Sequence, residues 1–378
     1  MPPLGLSEFY PLEAELTGRL RSLVEIESPT PDKPGVDRAG QWVAEKMAEL
    51  GAALQRFPQE TAGDHWLGSW GEGQGGILML THLDTVHPTG TLERFPWRET
   101  EERCYGPGIL DMKASPVMVL TAVRVLASGG RLAGHRLSLL ATSDEETGSH
   151  TSVELIQEQA RRHDLVLCLE PALPDGALKT WRKGTGMFEL EVRGRPAHAG
   201  ANPEDGINAI HEMAALIQRL TAAADGERGT TIGVGLIRGG TRTNVVPAAC
   251  RAKVDVRVLT ESEQQRVSAA LQALAPQHPE ASLIVNGDWN RPPMPRTPQM
   301  AATFARAREI GAQLGLALAE GGTGGGSDAN FVAPLGIPVL DGLGAVGGGA
   351  HTEEEFVLRS SLVERTALLA ALLSEWPT

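Results

Sequence analysis

Apolar positions in the first half of the chain recur in two alternating periods. Leu12, Leu16, Leu20 and Leu23 fall at helical spacing and predict a helix over about residues 12–26, ended by Ser28-Pro29-Thr30-Pro31. A second helix is expected over about 37–50, with Gly51 as its stop. Short apolar runs at 54–57 and 77–81 read as strands, the second of them buried. Residues 93–103 read as a strand-and-turn excursion leading into Gly106-Pro107-Gly108. Ser115 is the expected cap of the next helix, with Pro116 at its first position. Val117, Met118, Leu120, Val123 and Leu126 make that helix apolar on much of its surface, as a buried helix requires, and Gly129-Gly130 stop it. A strand at 137–142, a helix at 151–163 and a strand at 165–169 complete the alternation. It predicts an α/β domain with a mostly parallel sheet covered on both faces.

The rhythm changes near Gly184. Strands are expected at 187–192, 230–237, 250–259 and 282–285, with helices at 208–220 and 262–274. This β-α-β-β-α-β order is the ferredoxin-like split pattern. Asn290-Arg291-Pro292-Pro293-Met294-Pro295 reads as its exit linker. Helices at 298–314 and 360–375 and a strand at 338–340 then return to α/β style. The expected architecture is a discontinuous α/β domain over residues 1–183 and 296–378, with an inserted ferredoxin-like α+β unit at 184–295.

Composition refines this picture. Two or three domains are the prior for 378 residues, and a hydrophobic fraction of 41% fills sizeable cores. The net charge of −13 argues against nucleic acid or an anionic membrane as partner. Cys104, Cys168 and Cys250 form no CxxC pair and no disulfide framework. Residues 1–6 lack the basic and apolar regions of a signal peptide, and no stretch has the length of a membrane span. A cytoplasmic location is the expectation.

Candidate chemistry gathers at expected strand ends. His82 and Asp84 follow from the 77–81 strand, where alternation is expected to point both side chains the same way, and an imidazole and a carboxylate on one face suit a metal ligand and its orienting acceptor. Asp111 lies in a Gly-rich loop before a helix, Glu145 and Glu146 follow the 137–142 strand, Glu170 ends the 165–169 strand, and His351 follows Gly347-Gly348-Gly349. Loops at the carboxyl ends of parallel strands share one crevice, so these groups are expected to converge. Two His and several carboxylates suit a two-metal site with a bridging carboxylate. The nitrogen and oxygen donors favour zinc, with cobalt or manganese as substitutes. Of Glu145 and Glu146, one can ligate while the other serves as a base. His87, ahead of Pro88, reads as a loop residue.

With these motifs the chain resembles the M20 family of metallopeptidases and amidohydrolases. The residues that carry the resemblance are His82-Leu83-Asp84-Thr85-Val86, Tyr105-Gly106-Pro107-Gly108 with Asp111 and Lys113, Ser143 to Ser149, Glu170-Pro171 and His351. The resemblance implies a catalytic domain binding two zinc ions and an inserted lid that forms a homodimer. It implies that His82 and Glu170 ligate one zinc, Glu146 and His351 the other, and that Asp111 bridges them. Asp84 would brace His82, Glu145 would be the general base, and a cis peptide is expected at Asp111-Met112.

Within the family the chain is similar to glutamate carboxypeptidases of the carboxypeptidase G2 type. Arg182-Lys183-Gly184-Thr185, Ala197-His198-Ala199-Gly200, Thr243 to Pro247, Asp255-Val256-Arg257 and Gly324 to Ala329 match its lid and substrate motifs. The resemblance implies that His198 polarises the scissile carbonyl, acting across the dimer, and that Asn244 and Arg257 touch substrate. An arginine fork such as that of Arg257 can clamp a carboxylate. The amides of Gly324, Gly325 and Gly326 are expected to form an anion nest. The chain departs from the family pattern at Ala114-Ser115, where two glycines are usual; the group includes exported members, whereas no export signal is expected here. The expected activity is zinc-dependent hydrolysis of an amide bond, releasing a C-terminal amino acid, glutamate first, from a small peptide or N-acyl amino acid. The rivals are an N-acyl-amino-acid deacylase of the acetylornithine deacetylase or aminoacylase kind, and a catalytically silent metal-stabilised binding protein.

Overall fold

The computed structural model describes residues 4–72, 75–132 and 136–376; residues 1–3 of the stretch read for a signal peptide lie outside them. The chain divides into two compact units, Met1–Trp181 with Arg296–Gly322 and Ser327–Thr378, and Arg182–Pro295 with Thr323–Gly326. Arg182, Lys183 and the glycine loop fall with the second unit. Lys183 N–H donates to the Thr323 carbonyl, and the Arg182 guanidinium donates to the carbonyls of Gly325 and Gly326.

The first unit is built on a six-stranded sheet. Its order is Ala53–Phe57, His65–Trp70, Leu137–Thr142, Ile77–His82, Leu165–Cys168, Val339–Leu340. The last four strands are parallel and the first two antiparallel. Ile77–His82, Leu137–Thr142 and Leu165–Cys168 are buried at every residue. Alternate side chains point to opposite faces, so complete burial means that both faces are covered. This is why these strands read as continuous apolar runs. The His65–Trp70 strand is not announced by the hydrophobic pattern. It joins Ala53–Phe57 to the sheet, and Gly68 within it lets the preceding helix approach, since a Cβ there would lie 2.3 Å from Met47 Sδ.

The helix expected to start at Ser115 runs from Ala114 to Ser128, so Ser115 does not cap it. Lys113 is already helical and its N–H donates to the Gly108 carbonyl at 2.9 Å. The chain is therefore wound before it reaches Ser115, whose hydroxyl donates to the Leu169 carbonyl at 2.5 Å. Pro116 consequently lies past the first helical position. This helix packs against the Arg359–Glu375 helix, which is buried along most of its length.

A separate antiparallel sheet of Gly347–Gly348, Phe356–Leu358, Arg103–Tyr105 and Arg98–Glu99 replaces the simple excursion expected at 93–103. It joins the loop before Asp111 to the loop carrying His351.

The second unit is a four-stranded antiparallel sheet in the order Thr231–Gly239, Ala249–Val258, Gly184–Arg193, Ser282–Arg291. The helices Ala209–Thr221 and Glu261–Gln272 bury Met213, Leu216, Leu220, Val267 and Leu271 against it. The Asn208 side chain caps the first helix and Thr260 the second, as their residue types favour.

Candidate metal centre

The parallel strands deliver the site. His82 is the last residue of Ile77–His82, Glu145 and Glu146 form a 3-10 turn just past Leu137–Thr142, and Glu170 lies two residues past Leu165–Cys168. These ends lie on one edge of the sheet because the strands run the same way. One ligand atom from each of His82, Glu145 and Glu170 lies within 4.8 Å of the others, and the same holds for His82, Asp111 and Glu146.

Asp111 stands between the two histidines. Its Oδ1 is 3.0 Å from His82 Nε2 and its Oδ2 is 3.4 Å from His351 Nε2. His82 Nε2 is also 3.6 Å from Glu170 Oε1, and His351 Nε2 is 3.6 Å from Glu146 Oε2. The Asp111-Met112 peptide is cis, as the family resemblance implies. His351 holds a left-handed backbone with φ of 66°, an uncommon conformation for a residue with a Cβ. His82 Nδ1 donates to the backbone carbonyl of Asp84 at 2.9 Å, which turns Nε2 towards the carboxylates.

The electrostatics of this cluster call for a cation. Burial pushes the Glu146 carboxyl up to about 10, and the neighbouring Asp111, Glu145 and Asp84 charges add to that, while His82 opposes it. Burial opposes a charge on His82, but the Asp111 and Asp84 carboxylates beside it outweigh burial and raise the imidazole above its usual range. Burial likewise opposes a charge on Asp111, yet hydrogen bonds from His351 and His82 hold it well below the carboxylate range. Glu146 Oε1 is buried with no hydrogen-bond partner among the described residues. A buried carboxylate oxygen of this kind, in a set of nitrogen and oxygen donors, fits a divalent metal.

The Asp84 side chain does more than face His82. Its Oδ1 is 3.6 Å from His82 Nδ1, too long for a hydrogen bond. The strand ends at His82, so strand alternation does not aim the Asp84 carboxylate. It instead accepts the N–H groups of Glu145 at 3.2 Å and Glu146 at 3.1 Å, and the Thr30 hydroxyl at 2.7 Å. Its own carbonyl serves His82. One residue thus fixes the imidazole and the two-glutamate turn together.

The remaining candidates belong to the second unit. His198 is exposed, and its Nδ1 accepts N–H groups from Gly200 at 3.1 Å and Ala201 at 3.0 Å. The ring proton therefore sits on Nε2. The Asn244 carbonyl accepts Ala199 N–H, pairing the two loops. Arg257 is already gripped by Asp255, with Nε at 2.9 and 3.1 Å and Nη2 at 2.8 Å from its oxygens. The anion nest expected at Gly324–Gly326 is not formed. None of the three glycines has positive φ, Gly325 N–H goes to the Thr323 hydroxyl, and the carbonyls of Gly325 and Gly326 face Arg182. A nest needs convergent free amides on backbone of alternating hand.

The model of Peptidase family M20/M25/M40 matches residues 78–375. Carboxypeptidase G2 of Pseudomonas sp. (strain RS-16) is 31% identical over 365 residues, which is 94% of this chain and 87% of that protein. The chain belongs to peptidase family M20. Succinyl-diaminopimelate desuccinylase of Xylella fastidiosa (strain 9a5c) is 29% identical over 94% of this chain and 95% of that protein. Among solved structures, the aminopeptidase PepT of Bacillus cereus ATCC 10987 shares the fold with a TM-score of 0.79 at 22% identity, covering 96% of this chain and 98% of that one.

This M20 protein is a metallopeptidase or amidohydrolase, and enzymes of the family depend on metal. Among the described residues no helix is long and apolar enough to cross a membrane. Two supports of the M20 site carried no assigned role in the sequence. Thr30 braces Asp84, and Asp328 accepts the hydroxyls of Thr142 at 3.2 Å and Ser149 at 2.5 Å, clamping both ends of the Glu145-Glu146 loop. Asp328 follows the glycine run at 324–326, but only folding reveals what it holds.

Proposed function

We propose that the chain hydrolyses the amide bond of a small peptide or N-acyl amino acid, releasing the C-terminal amino acid, with glutamate as first choice. The observation that carries the reaction type is Asp111, which offers one oxygen towards each of two histidines while glutamates flank both. His82 and Glu170 would hold one divalent ion, Glu146 and His351 a second, and Asp111 both; zinc is the metal these donors favour. When bound, such a pair supplies Lewis-acid polarisation of the scissile carbonyl and a water acidified from 15.7 toward about 7.

Glu145 takes the proton of the attacking water and delivers it to the leaving amine. Asp84 holds the backbone of that glutamate and orients His82. His198, with its proton on Nε2, donates to the oxygen on which negative charge develops. Asn244 and Arg257 bind the substrate, Arg257 through its carboxylate; Gly325 and Gly326 shape the loop beside Arg182. The second unit would act as lid and homodimer surface.

The preference for glutamate rests on the 31% identity to carboxypeptidase G2. A second reading, N-acyl-amino-acid deacylation, is favoured by the 29% identity to a desuccinylase over the same share of the chain. A zinc-loaded assay of peptides and N-acyl amino acids varied at the C-terminal residue decides between them. Preference for C-terminal Glu or Asp supports the carboxypeptidase; preference for a cationic or apolar amino acid selects the deacylase.

A further inference from the structure

Glu355 lies four residues beyond His351 and is 0% exposed. A carboxylate taken out of water must be compensated by hydrogen bonds or charge. Glu355 is compensated by one loop and one histidine. Its Oε1 accepts the N–H groups of Leu110 at 2.8 Å and Asp111 at 2.9 Å. Its Oε2 accepts the Gly108 N–H at 2.9 Å and His87 Nε2 at 2.7 Å. Backbone amides can only donate, so both oxygens are acceptors and His87 presents its proton from Nε2.

Three chain segments therefore meet on one side chain that is not itself among the metal-binding groups. His87 is on the segment that follows His82. Gly108, Leu110 and Asp111 form the loop that supplies the central carboxylate. Glu355 is on the loop that supplies His351. We propose that Glu355, backed by His87, is a positioning residue that fixes the Asp111 carboxylate between the two histidines. The Asp111 backbone is tied at its own N–H, so its side chain has only its χ angles left to vary. His87 is 7% exposed and restrains Glu355 through the same oxygen that accepts the Gly108 N–H.

This inference rests on the metal reading of the site, and the test separates the two. Zinc affinity is measured on the full chain by chelator competition, the Co²⁺ absorption spectrum is recorded, and the melting temperature of the metal-free protein is taken. Glu355→Gln keeps the volume but turns one acceptor oxygen into a donor facing donors. It is expected to weaken zinc binding about 10–100-fold and to alter the Co²⁺ spectrum. His87→Leu, which removes the donor, should move both readouts in the same direction by less, and His87→Gln, which restores one, should recover them. In the double variant Glu355→Gln/His87→Leu, zinc binding should be no weaker than in Glu355→Gln alone. Wild-type zinc affinity and spectrum in these variants, with only the melting temperature lowered, would overturn the inference. If Glu355→Gln does not fold, the two His87 variants decide it on the same readouts. A wild-type chain that binds no zinc removes the metal reading and this inference with it.

Discussion

The candidate residues of the two units are held in opposite ways. Those of the first unit, the exposed His351 excepted, are buried or half-buried, and the inner ones are fixed by neighbours that are fixed in turn. His82 is oriented by the Asp84 carbonyl, the Glu145-Glu146 turn by the Asp84 carboxylate, and that turn's two flanks by Asp328. The candidates of the second unit, His198, Asn244 and Arg257, are loop or strand-face residues satisfied within two or three positions of themselves or by an adjacent loop. A buried carboxylate cluster persists only if its surroundings over-determine it, whereas exposed groups have water as an alternative partner. The first arrangement suits groups that tolerate little displacement; the second suits groups that exchange a local partner for one that a substrate brings.

The comparison can be broken most directly at Glu145. Glu145→Gln is expected to lower kcat on the order of 10³–10⁴-fold while retaining metal, as judged by metal content and steady-state rates. Full activity in that variant would remove the proposed base. Next in size is His198→Ala, which should cost about 10²–10³-fold in kcat with zinc affinity unchanged. Altered metal content there would show that the second unit's histidine does the first unit's work. Asp84→Asn should weaken zinc binding or turnover by about 10–100-fold without emptying the site, whereas His82→Ala should lose an ion outright. Equal metal loss in both would make Asp84 a ligand in its own right. The smallest effect is expected at Arg257. Arg257→Ala should raise KM by roughly tenfold, as loss of one charge-assisted hydrogen bond implies, and leave kcat nearly intact. An unchanged KM would assign Arg257 to Asp255 alone.

The metal-binding candidates were legible because the buried parallel strands are continuous apolar runs and their ends carry His and carboxylates. His82, Glu145, Glu146 and Glu170 need only strand direction to meet. Asp111 and His351 stood out by their Gly-rich loops, but their places as bridge and second-ion ligand came from the family motifs, since the small sheet that joins their loops consists of strands of two or three residues. Ser115 misled because a cap reads the same whether or not the chain is already wound before it. The glycine run at 324–326 misled because a sequence shows backbone freedom but not which way the amides turn.

The sequence by itself determined the α/β alternation, the β-α-β-β-α-β order of the second segment and the donor types of the site. These depend on periodicity and residue chemistry, which are local. Tertiary structure alone decided that the Asp84 carboxylate turns to the glutamate amides, that Asp255 occupies Arg257, and that Glu355 ties the Asp111 loop to His87. Each of these contacts except the Asp255 pair joins residues far apart in the chain, and a buried polar group takes whichever partner the packing brings within reach.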